Sequence, residues 1–114
     1  MIQLVLKGKP LSTQHCYGQR GRIRYMKQEA KDLKEDYIYQ IRKQYMGGVI
    51  TKNIEIWIDL YFADNRRRDW DNYHKISMDA LEDRVIKNDS QIKVAHVSMK
   101  KGEEPRIELR IKIL

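Results

Sequence analysis

Residues 53–63 read "NIEIWIDLYFA". Ile54, Ile56, Ile58, Leu60 and Phe62 take every second position, with Glu55, Trp57, Asp59 and Tyr61 between them. Side chains of an extended strand point alternately to opposite faces, so this period of two predicts a strand with one face on a core. The other face mixes acids with aromatic rings, which predicts a half-covered surface and makes Trp57 and Tyr61 the candidate subunit contact.

Upstream, Met26, Ala30, Leu33, Tyr37 and Ile41 recur at steps of three and four, predicting a helix over 25–46 that Gly47-Gly48 ends. Residues 2–6, "IQLVL", predict a further strand, stopped by Gly8 and Pro10. Between them lies "PLSTQHCYGQRGRIR" (10–24), a glycine-punctuated loop with Arg20, Arg22 and Arg24 and no acid. It reads equally as a solvated loop or as an arm contacting phosphates.

Downstream, "DNRRRDWDN" leads into a second helix at about 72–86 with Tyr73, Ile76, Ala80, Leu81 and Val85 on its buried side. "KNDSQ" is a turn, 91–100 a third strand, and "GEEP" another turn. In 106–113, Ile107, Leu109, Ile111 and Ile113 alternate with Arg106, Glu108, Arg110 and Lys112, which reads as a hairpin partner for the third strand. The order is βαβαββ. It predicts one α+β domain over 1–114, a small mixed sheet with two helices on one face.

The chain has 114 residues, enough for one compact domain. Its charged fraction is 34% against 41% hydrophobic, so a small core carries a heavily charged surface. A net charge of +7 suits a polyanionic partner, nucleic acid or an acidic membrane face. The lone Cys16 excludes an intrachain disulfide, and His15, His74 and His96 are too scattered for a zinc site. No apolar run approaches the ~20 residues of a membrane span. "MIQLVLKGKP" turns polar too soon for a secretion signal. A soluble cytoplasmic protein is expected.

The chemistry concentrates in "RRRDWDNYHK", residues 66–75. Asp69 and Asp71 are two apart, and in extended backbone such residues point the same way, so both carboxylates can reach one cation. Hard cations such as Mg²⁺ take oxygen ligands of this kind, together with waters and phosphate oxygens. Helix capping by Asp71 and pairing of Asp69 with Arg66, Arg67 or Arg68 would also account for these residues. Lys75 follows Asp71 by four and Asp79 follows Lys75 by four, so on a helix the three share a face. This is either a salt-bridge ladder or a lysine held ready for a phosphate's developing charge. Asp89, in the "KNDSQI" turn, returns to the pair if the next strand lies beside the one ending near Asp64. Its other reading is an ordinary turn residue. Phosphodiester hydrolysis would use such a set: metal-activated water, a cation for the leaving oxygen, and Arg66–Arg68 on the flanking backbone.

"RRRDWDNYHKISMDALEDRVIKNDSQI" resembles the RusA-type Holliday junction resolvases, small endodeoxyribonucleases of bacteria and their phages. The family pattern is Asp-x-Asp-Asn-x-x-Lys, then Asp-Ala-Leu, then an acidic turn before x-Gln. Here these are Asp69, Asp71, Asn72 and Lys75; Asp79-Ala80-Leu81; and Asp89-Ser90-Gln91. The resemblance implies a RusA-like fold, a homodimer with two symmetric sites, Mg²⁺ dependence and paired nicks in branched DNA. It implies Asp69, Asp71 and Asp89 as metal ligands and Lys75 as the catalytic cation. Asn88 stands where the family usually has a first turn aspartate, "PLSTQH" lacks the family's asparagine, and the glycine after Asp-Ala-Leu is missing. The competing readings are a non-catalytic basic DNA-binding protein on the same fold and a structural protein whose charges only solubilise it.

Overall fold

The computed structural model describes residues 1–114. Strand β4 (Ile54–Phe62) lies within its sheet, and its alternation is realised residue by residue. Ile54, Ile56, Ile58, Leu60 and Phe62 are buried, and the four residues between them are half-buried. Burying an aliphatic side chain of this size contributes about 1.5–3 kcal/mol. An exposed ion pair contributes about 0–1 kcal/mol. The apolar stripe therefore fixes the register of the sheet, and its many surface charges do not.

β4 is flanked by β6 (Arg106–Ile113), antiparallel, and β5 (Ile92–Lys101), parallel. β1 (Ile2–Lys7) pairs antiparallel with the other side of β6, giving the order β1-β6-β4-β5. The sheet is mixed, as expected, but β5 and β6 are not a hairpin. A parallel return to β4 needs a crossover, which the second helical segment supplies. β6 then passes to the far side of β4, where Ile107, Leu109 and Ile111 are buried.

The long helix, α2 (Gln28–Gln44), turns Ala30, Tyr37 and Ile41 to the core. It also closes one edge of the sheet. Gln44 bonds Val5 N–H and C=O at 2.8 and 2.7 Å, and Gln40 does the same to Lys7 at 2.7 and 2.9 Å. β5 has no such cover, and its outer edge is unpaired.

The crossover helix, α3 (Lys75–Leu81), is shorter than the expected 72–86. Asp83 adopts a positive φ of 64°, and Ile50 and Ile86 form a bridge, so 82–86 is a tight turn rather than helix and buries Val85 and Ile86. The segment expected as a loop contains a one-turn helix, α1 (Thr13–Cys16), and a hairpin of β2 (Tyr17–Arg20) and β3 (Ile23–Met26). Trp57 and Tyr61 are covered by the chain's own cations. Arg110 lies 5.3 Å above the indole, and Arg106 lies 3.7 Å above the phenol.

Candidate active site

β4 delivers the chain to a loop over 63–69, and Arg68 organises that loop. Its guanidinium stands 2.8 Å from Asp64 and 4.0 Å above the Phe62 ring, with 10% of the side chain exposed. The Arg66 N–H donates to the same carboxylate at 3.0 Å. These contacts, the Arg66 amide foremost, hold the Asp64 carboxyl below its ordinary range. Arg66 and Arg67 remain exposed. They line a cleft of about 310 Å³ with Lys9, His15 and Tyr73, where Glu29 is the one acid. Thr13 ties the opposite wall to the site by donating to the Asn72 carbonyl at 3.4 Å.

Asp69 and Asp71 follow at once. Asp69 is extended at the entrance of a 3-10 turn, Trp70–Asn72, without making a side-chain cap. Asp71 sits inside that turn, exposed. None of the chain's ion pairs uses Asp69, Asp71 or Asp89, although three arginines precede Asp69. Capping and surface pairing therefore do not account for these carboxylates.

Lys75 opens α3, and its Nζ lies 3.2 Å from Asp79. That hydrogen bond is the main reason its pKa is raised. Asp71 precedes the helix, so the expected three-residue face reduces to Lys75 and Asp79. His74 joins turn to helix: Nε2 donates to the Trp70 carbonyl, while Nδ1 is buried without a partner. Burial pushes its pKa down, so the ring is held neutral.

Asp89 lies in a second 3-10 turn, Asp89–Gln91, and Gln91 fixes that turn. The Gln91 side-chain Oε1 accepts from Asn88 N–H at 2.7 Å, and its Nε2 donates to the Ile50 and Lys52 carbonyls at 2.8 Å each. Asn88 accepts from Ser90 N–H at 2.8 Å, an acceptor role that an aspartate would fill equally well.

The expected convergence of Asp69, Asp71 and Asp89 is not realised within one chain. No three His, Cys, Asp or Glu side chains gather anywhere to hold a cation. The reason is strand direction. β5 does lie beside β4, but it runs parallel, with Ile54 opposite Ile92 and Phe62 opposite Lys101. Asp89 therefore enters the sheet at the end where β4 begins, whereas Asp69 and Asp71 leave from the end where it finishes. The carboxylates of a single chain do not fit a metal centre. Arg20, Arg22 and Arg24 stand apart from the cleft, on the hairpin.

Three residues at the site carry roles the sequence did not assign. Lys9 lines the cleft, His74 staples the Asp71 turn, and Gln91 sets the Asp89 turn. Only Gln91 had a readable signal: Asn88-x-x-Gln91 has capping-box spacing.

The family described as Endodeoxyribonuclease RusA matches residues 7–112. The chain belongs to the RusA family. The RusA match takes in the cleft, both aspartate turns and the hairpin, and it bears out the mixed α+β fold expected from the sequence. A similar protein is the "Crossover junction endodeoxyribonuclease RusA" of Aquifex aeolicus (strain VF5). It is 38% identical over 77 residues, 67% of this chain. The match spans 60% of that relative's length. No helix of the chain is long and apolar enough to cross a membrane.

Proposed function

We propose that this chain is a divalent-cation-dependent, structure-selective endodeoxyribonuclease that resolves four-way DNA junctions by paired, symmetric nicks. Mg²⁺ is the expected cation, and the bacterial or phage-host cytoplasm the expected setting. The observation that carries the reading is the contrast at the end of β4. Arg66 and Arg67 line a basic cleft, and the next two acids, Asp69 and Asp71, have no partner in the protein. Exposed acids beside free arginines would ordinarily pair with them. Left free, the arginines suit a phosphate backbone, and the carboxylates suit a cation next to it. Lys75, held charged by Asp79, would steady the charge developing on the cleaved phosphate.

The missing third carboxylate favours a homodimer. β1's edge is closed by Gln40 and Gln44, whereas β5's edge is open. A free edge is a template for another strand. Antiparallel pairing of two β5 edges about a two-fold axis would carry Asp89 of one copy toward the end of the other copy's β5. The Trp70–Asn72 turn packs against that strand. A two-fold dimer also presents two sites to a two-fold-symmetric junction.

A non-catalytic DNA-binding protein is the second reading, and the scattered carboxylates favour it. Incubation with a synthetic four-way junction separates the two. Nicking in Mg²⁺ that EDTA stops supports the nuclease, whereas binding without nicking supports the module. Asp71→Asn should abolish cutting while keeping or tightening junction binding, because it removes a negative charge near phosphates. Normal cutting by that variant would remove Asp71 from the site.

A further inference from the structure

We infer that the β2–β3 hairpin is a base-contacting wedge, which places Ile23 and Tyr25 against nucleobases exposed at the branch point of the DNA. This rests on the junction-nuclease reading and adds a residue-level cause for its structure selectivity.

The hairpin is rigid at its base and bare at its tip. Cys16 is buried beneath it, and Lys27 N–H closes its foot on the Cys16 carbonyl at 2.8 Å. Tyr17 and Met26 pack against the core. From Gln19 to Tyr25 every residue is exposed. Gly21 takes the positive φ, 61°, that the two-residue reversal between Arg20 and Ile23 requires.

Register sorts the side chains into two faces. Gly18 pairs with Tyr25 and Arg20 with Ile23, and directly opposite residues share a face. The inner face therefore carries Tyr17, Gln19, Arg24 and Met26, with the Arg24 guanidinium stacked 4.0 Å over the Tyr17 ring. The outer face carries Gly18, Arg20, Ile23 and Tyr25, and the last three line a shallow recess. Ile23 is 69% exposed and Tyr25 is 44% exposed. Gly18 makes room for the phenol: a Cβ there would lie 2.5 Å from the ring's Cζ and hydroxyl oxygen. The tyrosine thus lies down on glycine backbone as a flat apolar platform, with isoleucine beside it.

An exposed apolar pair on a projecting tip needs an occupant, and the surrounding charge selects it. Arg20 shares the pair's face, Arg22 stands at the turn and Arg24 lies on the reverse face, and no acid precedes Glu29 in the chain. A protein partner would have to answer three cations on so small a hairpin. A nucleic acid strand does so by construction, with phosphates for the arginines and base faces for the apolar pair. Stacked bases in a continuous duplex are closed to such a contact. Bases flanking a branch are not, and apolar side chains inserted at base steps are a known means of unstacking them.

The test uses the full chain in EDTA, so that DNA is bound and left uncut, with 2-aminopurine placed beside the branch of a four-way junction. Wild-type protein should raise the 2-aminopurine fluorescence. Ile23→Ser, a change at an exposed position, should lose most of that rise and bind the junction roughly tenfold more weakly, with duplex affinity unchanged. Arg22→Ala should instead weaken junction and duplex alike and lower the salt slope by about one. Selective junction binding by Ile23→Ser with a full fluorescence rise overturns the wedge and leaves the nuclease reading standing. A changed sedimentation coefficient for Ile23→Ser, with fluorescence intact, makes the face a subunit contact and also overturns it. Wild-type protein that binds junction no better than duplex sinks the junction reading itself, and the wedge with it.

Discussion

Arg66, Arg67 and Arg68 are adjacent and chemically alike, yet they have different surroundings. Arg68 is nearly buried between Asp64 and the Phe62 ring, whereas Arg67 is exposed in the cleft. Arg67→Ala should leave the melting temperature unchanged, weaken DNA binding at all sequences and reduce the slope of log K against log salt by about one. Arg68→Ala should instead destabilise the fold by about 1–2 kcal/mol, through lost cation–π contact and packing, measured by urea unfolding. Gln91 is the second residue whose neighbours decide its role. It is 8% exposed and satisfies Asn88 N–H, Ile50 C=O and Lys52 C=O at once. Gln91→Ala leaves Asn88 N–H and Lys52 C=O without these partners, while Ile50 C=O keeps its bond from Lys87 N–H at 3.1 Å, and should cost about 1–3 kcal/mol in the same measurement. Such differences were not legible in the sequence, since "RRR" carries no mark of which guanidinium meets Phe62.

The Trp70–Asn72 turn and α3 are joined by His74, which donates to the Trp70 carbonyl and has a buried, partnerless Nδ1. Protonation would add a hydrogen at that nitrogen with no acceptor, and burial lowers the ring's pKa. In the unfolded chain the ring has its ordinary pKa of about 6.5. Above that pH neither state binds the proton, and the contribution to stability is complete. As pH falls below it, the unfolded chain takes up a proton that the folded ring resists, so stability declines until the lower, folded pKa is reached. Wild-type protein should therefore lose melting temperature as pH falls from 7 through about 6.5 faster than His74→Gln does in parallel thermal melts. An equal loss in both proteins would show that another group drives the acid sensitivity. Legibility at this scale followed periodicity. β4 and β6 were plain because β4 buries every second side chain and β6 does so as far as Ile111, with only Ile113 exposed at its end. The β2–β3 hairpin was not, because only Tyr17 and Met26 of it pack on the core.

Across the whole molecule, the sequence made the sheet's strands legible but not their directions. Alternation says that β5 and β6 are strands, and it is silent on whether β5 runs with β4 or against it. That one sign separates Asp89 from Asp69 and Asp71 within a chain. The same sign makes a two-fold dimer across the β5 edge a route to reunite them, since antiparallel copies exchange ends. The exchange has a consequence that no single-chain site shares. If each site takes Asp71 from one copy and Asp89 from the other, then Asp71→Asn and Asp89→Asn dimers are both inactive. A mixed dimer of the two, however, has one site with both substitutions and one site with neither. Refolding the variants together in equal amounts should make half the dimers mixed and restore about one quarter of wild-type sites. The recovered activity should appear as single nicks in a four-way junction rather than paired ones. A site built within one chain would leave every site in the mixture with one substitution, and no activity would return.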